Sequence, residues 1–210
     1  MMYLKLRYRA RLADLALVDQ MADEVADICD SNGWKYHRWD DDWRKPTDVQ
    51  IGESEEGINF EGEAGLRGIH FSPGPQCETI WLTFSANGML NSLFTLENPT
   101  FTAEDPDYPW NRVKTGFDGA KTHIEICNLF RFLEKKYFSD CQMLDESGYW
   151  QHGDKARCEK WMDEVTRAHD TLDEEIAALE SDPSIDPKTR HKIFYGLIKQ
   201  FGERYKPDTQ

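Results

Sequence analysis

The stretch Tyr3–Leu12, "YLKLRYRARL", alternates strictly: Leu4, Leu6, Tyr8, Ala10 and Leu12 fall on one side, Lys5, Arg7, Arg9 and Arg11 on the other. A strand turns successive side chains to opposite faces, so the four cations stand in one row. Burying bare charges is prohibitive. Any sheet built on this strand is therefore packed on one face and wet, or held against a partner, on the other. The chain as a whole carries a formal net charge of −14, which makes the row a local exception. Strands elsewhere offer acids to face it, with Asn59, Glu61 and Glu63 alternating against Ile58 and Phe60. The expectation is a solvated charge ladder. The functional alternative is an anion- or partner-recognising face that includes His70 and Trp81.

Helical periodicity marks the rest of the frame. Val18, Met21, Ala22, Val25 and Cys29 recur at helical spacing, with Asp14 as a cap and Asn32-Gly33 as a left-handed stop. Ile126, Leu129, Phe130, Leu133 and Tyr137 form a second stripe, capped by Asp118. Between them, short strands are predicted at 34–39, 48–53, 57–62, 66–72 and 78–84. Asn87-Gly88 predicts a type I′ hairpin turn. Four turn signals between 97 and 116 predict a long loop, and "DCQMLDE" a returning strand. Beyond Asp154, Cys158, Met162, Val165, His169, Leu172, Ile176 and Leu179 keep a heptad seam. "SDPSIDP" breaks it, and a last amphipathic helix carries Ile193, Phe194, Leu197, Ile198, Phe201 and Tyr205.

This order predicts an α+β fold: a largely antiparallel sheet with two helices on one face, followed by a C-terminal αα-hairpin. Residues 1–153 form the domain. Residues 154–210 form the hairpin, packed on that domain or, as a homodimer, on a second subunit.

Composition narrows the function classes. Apolar residues make up 39% and include seven Trp, enough for a core. The acidic balance repels phosphate and disfavours nucleic acid and acidic membranes as partners. No run of about 18 apolar residues spans a bilayer, and the first residues lack the apolar region of a secretion signal. Five scattered Cys read as reduced thiols, which places the protein in the cytoplasm.

Four clusters could carry chemistry. "RWDDDWRK" holds three adjacent carboxylates, but consecutive loop residues diverge and read as an exposed acidic turn. His123 and Cys127 stand four apart on a helix, close enough to share a metal, yet zinc needs two further ligands that no CxxC or HxxxH supplies. Both read as core, as does His169 in the seam, and neither a metal nor a cofactor is expected. "DESGYWQHGD" groups Asp145, Glu146, Tyr149 and His152, a carboxylate and imidazole set suited to acid–base work. An enzyme built on it would have a cleft between that turn and the 97–116 loop. It requires Asp145, Glu146, His152 and His70 to converge. There is no G-x-S-x-G, P-loop or G-x-G-x-x-G.

Three stretches, "GIHFSPGPQCETIWLTFSANGML", "VKTGFDGAKTHIEICNLFRFLEKKYF" and "DESGYWQHGD", together resemble a group of bacterial cytoplasmic proteins with no assigned activity. The likeness covers roughly 68–154. In that group a His often stands where this chain has Gly74, and a Gln where it has Gly116, so chemistry resting on those groups does not carry over. The resemblance implies a bacterial, cytoplasmic α+β protein. The leading expectation is a non-catalytic protein that binds another macromolecule, of the kind an immunity or antitoxin protein represents.

Overall fold

The computed structural model describes residues 5–54, 57–75, 77–97, 109–115 and 119–204. Strand β1 (Lys5–Leu12) lies between β8 (Asn111–Lys114) and β9 (Phe138–Asp145), antiparallel to both. A second antiparallel sheet runs in the order β2 (Lys35–Asp40), β5 (Arg67–Ser72), β6 (Ile80–Phe84), β7 (Leu90–Asn91). A bridge between Arg11 and Met89 joins the two sheets along one edge of β1. Strands β3 (Gln50–Ser54) and β4 (Gly57–Glu61) form a separate ribbon.

The apolar side of β1 does what its alternation demands. Leu6, Tyr8, Ala10 and Leu12 are buried, together with Ile69, Phe71, Ile80, Leu82 and Phe84. Helices α1 (Val18–Asn32) and α3 (Gly119–Tyr137) close over them with the stripes expected from their spacing. Each fully buried large side chain contributes about 1.5–3 kcal/mol relative to exposure. Gly33, left-handed at φ 69°, ends α1, and Asp14 caps a short 3₁₀ turn ahead of it. The fold is thus α+β, with antiparallel sheets, two helices on one face and a terminal helical hairpin.

Two local expectations change. The β6–β7 hairpin has a positive φ at Gly88 alone, and Asn87 stays on the ordinary side. Gly88 N–H donates to Ser85 O at 2.9 Å, and Ser85 N–H to Met89 O at 3.0 Å. This is a three-residue loop with a left-handed Gly, not a type I′ turn. The Asn87 side chain instead accepts from Met89 N–H. The short helix α2 (Leu93–Glu97) ends where the supposed long loop begins, and β8 lies within that loop. The rest of it, 98–108, and the cap at Asp118 lie outside the described residues.

After a single turn, α4 (Tyr149–His152), the long α5 (Lys155–Ser181) starts at Asp154, whose carboxylate accepts Arg157 N–H at 3.0 Å. Cys158 and Met162 belong to the main core, so the first turns of α5 are docked on the domain. Further along, Leu172 and Leu179 are buried with Phe201 of α6 (Pro187–Arg204) in the hairpin. Val165, His169 and Ile176 of the seam stay partly exposed.

Candidate functional site

The cations of β1 stand on the side of the sheet away from α1 and α3. Their neighbours are set by register. Lys5 faces Lys114 and Arg7 faces Arg112 on β8; Leu144, Gln142 and Asp140 of β9 face Arg7, Arg9 and Arg11. Six cations from two adjacent strands thus share one face. Arg9 donates to Gln142 Oε1 at 2.9 Å and lies over the Trp110 ring at 4.5 Å. Lys114 pairs with Glu78 at 2.9 Å. Glu146 Oε2 accepts Lys5 N–H at 2.9 Å; burial raises its pKa, opposed by that bond and the charges of Lys5 and Arg7. Leu144 is 47% exposed among these charges.

The expected ladder with Asn59, Glu61 and Glu63 does not form. Strand β4 pairs only with β3, with Glu61 opposite Gln50. Glu63 instead bonds Lys45 and Asp42 N–H.

His70 and Trp81 lie on the second sheet but turn to the same side as the cations. The alternation proves it: Arg11 is bridged to Met89, Leu90 points into the core, and Asn91 lies opposite Thr83, two residues from Trp81. His37, His70 and Trp81 form a row across β2, β5 and β6. Trp39 Nε1–H donates to His70 Nδ1 at 2.8 Å, so neutral His70 carries its proton on Nε2. Burial, helped by His37, holds His70 down at a pKa of about 4. The rings of His70 and Trp81 are 4.5 Å apart, and Phe94 meets Trp81 edge-on at 6.1 Å. Beside Trp81 opens a pocket of about 470 Å³, with Phe94, Trp110, Cys77, Glu78 and Arg112 in its walls. Trp110 therefore links this pocket to the cation row through Arg9. Another hollow, about 510 Å³, adjoins His37, Trp39, Asp41, Phe60 and His70.

The acid–base candidates do not converge. Asp145 is buried and accepts from Ser147 N–H, Ser147 Oγ and Trp150 N–H, each at 2.8 Å. Its Oδ1 lies 3.1 Å from His123 Nε2. Burial pushes its pKa up, but the bonds from His123, Trp150 and Ser147 outweigh this and hold it below the ordinary carboxylate range. Glu146 turns to Lys5, and the Tyr149 hydroxyl meets Asn128 Oδ1 at 3.3 Å. His152 is exposed, and His70 bonds Trp39 on the other sheet. Their different partners remove the acid–base pair on which a cleft enzyme depended.

In "RWDDDWRK" the carboxylates also part. Asp41 accepts Ala64 and Leu66 N–H, Asp42 holds Arg44, and Asp40 is exposed. What sequence reading missed is the meeting of His123 and Cys127 with Asp145, brought from another element. No spacing in the chain announces it.

Set against known proteins, the chain matches no protein family, no curated protein and no solved structure. Among the described residues, no helix is long and apolar enough to cross a membrane. None of the five cysteines forms a disulfide.

Proposed function

We propose that this is a non-catalytic, cytoplasmic binding protein that takes an acidic segment of another protein on the outer face of β8–β1–β9. One observation carries the reading: Lys5 opposite Lys114 and Arg7 opposite Arg112. Like charges directly opposite destabilise a strand pair. Retaining six cations on one face of a −14 protein suits a surface that attracts an acidic partner. The Trp81–Phe94–Trp110 pocket beside the row offers a seat for an apolar side chain of the same segment, as aromatic-lined pockets do at interface hot spots. Five cysteines without a disulfide suit a reducing compartment. An immunity- or antitoxin-like role belongs to this class of function.

Fluorescent poly-glutamate and poly-lysine peptides test the reading. Poly-glutamate should bind, weaken as salt rises, and lose its affinity in the double variant Arg7→Glu, Arg11→Glu. Amide exchange should show protection on β1 and β8. Preferential binding of poly-lysine would mean that the global negative field governs association, and the reading would be wrong. Tighter binding of a single-stranded oligonucleotide to the same face would overturn the protein-partner assignment.

A further inference from the structure

Where α3, the end of β9 and the start of α5 meet, donors of three chemical kinds converge in the core. His123 Nε2, Cys127 Sγ and a carboxylate oxygen of Asp145 lie within 4.8 Å of one another. The side chains of His123 and Asp145 are wholly closed to solvent, and Cys127 is fully buried. Nε2 is 3.1 Å from Asp145 Oδ1 and 3.6 Å from Cys127 Sγ. A tetrahedral zinc with Zn–S near 2.3 Å and Zn–N or Zn–O near 2.0–2.1 Å has ligand-to-ligand edges of about 3.3–3.6 Å. The spacing fits a zinc polyhedron.

The surroundings fit as well. His123 Nδ1 is 2.7 Å from Thr115 Oγ1, the outer hydrogen bond that fixes ring orientation in metal-bound histidines. With the proton on Nδ1, the Nε2 lone pair faces the Ser147 hydroxyl at 3.0 Å and the Asp145 carboxylate at 3.1 Å, and a divalent cation would bridge nitrogen and carboxylate. Backbone N–H groups of Ser147 and Trp150 hold the carboxylate in place. Cys158, fully buried on α5 nearby, points its thiol at Met162 Sδ, 4.0 Å away.

We propose that His123, Cys127 and Asp145 bind one zinc ion, with the Ser147 hydroxyl, 3.0 Å from His123 Nε2, beside the fourth position. A thiolate, an imidazole and a carboxylate in a closed site suit zinc over magnesium or calcium. The Cys127 thiol loses its proton on binding, so one proton leaves per ion. The ion would tie α3 to the end of β9. It is independent of the outer-face reading. The competing arrangement has Thr115 donating to Nδ1 and Nε2–H donating to Asp145. It needs no metal and predicts none.

The test is cobalt(II) titration of the full chain after chelator treatment, followed by displacement with zinc. The expected result is one ion per chain, tetrahedral d–d bands and a near-ultraviolet thiolate-to-cobalt band. Cys127→Ala should weaken binding at least about tenfold, while Cys29→Ala and Cys141→Ala leave it unchanged. Far-UV circular dichroism verifies that each variant folds. A folded, stripped protein that takes up no cobalt would overturn the proposal. So would a spectrum without a thiolate band, or one unaltered in Cys127→Ala.

Discussion

The Tyr8 hydroxyl accepts the Trp81 N–H at 2.9 Å and donates to the Trp81 carbonyl at 3.2 Å. One side chain of β1 thus satisfies both backbone groups of a residue on the other sheet, beyond the reach of the two-residue β7. The hydroxyl acts as a missing strand neighbour. It also sets the aromatic pocket against the cation row, because Trp81 and Arg7 then ride on elements fixed to each other. Burial drives the Tyr8 pKa far upward, so the hydroxyl keeps its proton at any physiological pH.

Tyr8→Phe keeps the ring and leaves the Trp81 N–H and C=O unpaired in a buried position. The expected cost is about 1–3 kcal/mol, measured by urea unfolding. Poly-glutamate binding should weaken with it. Unchanged stability would mean that water replaces the hydroxyl.

Arg7 faces Arg112 across β1 and β8. Arg7→Glu should therefore stabilise the fold by about 0.2–1 kcal/mol while it weakens poly-glutamate binding. Opposite signs for stability and binding mark a charge kept for function. Loss of both together would make Arg7 a structural residue.

His70 gives a pH dependence whose sign follows from its burial. Its folded pKa of about 4 lies below an unfolded value of about 6.5, so the unfolded chain binds more protons between the two. Stability is fully present above about pH 6.5 and declines as the pH falls towards 4, by up to about 3 kcal/mol. His70→Gln removes the titration, and its unfolding midpoint should move less between pH 7 and 5 than that of the wild type. An equal shift in both proteins would assign the acid loss to other groups.

Gly68 has φ 128°, and a Cβ there would stand 2.3 Å from Leu82 O. Gly68→Ala should cost more than about 2 kcal/mol, because backbone, not a flexible side chain, is in the way. Thermal unfolding measures it. A change under half that size would show that β5 can slide relative to β6.

Within one chain the heptad seam buries Leu172 and Leu179 at 8% and 7% exposure. Sedimentation equilibrium at several loading concentrations should therefore give a concentration-independent monomer. A dimer would have to use another surface, such as the exposed Ile193 and Tyr195 of α6.

The alternation of β1, the stripes of α1 and α3 and the heptads of α5 were legible because periodicity of 2, 3.6 or 3.5 is a local property of the chain. So was the wet sheet face, since four cations in a row have no other place. The hairpin at Asn87-Gly88 was legible, its turn type less so, because both an I′ turn and a left-handed Gly bulge accept that dipeptide. Strand β8 was hidden: four residues, "NRVK", carry too little pattern to stand out between turn signals.

What sequence could not supply was adjacency. Lys5 and Lys114 are more than a hundred positions apart, and only the pairing register decides whether a cation meets an acid or another cation. His123 and Asp145 come from a helix and a strand end that meet only when both pack on one core. The sequence alone determined which residues each element turns inward, because that is fixed by bond geometry along the chain. Tertiary structure alone decided which charges and ligands face one another, because such neighbours are chosen by packing between elements, and packing has no period.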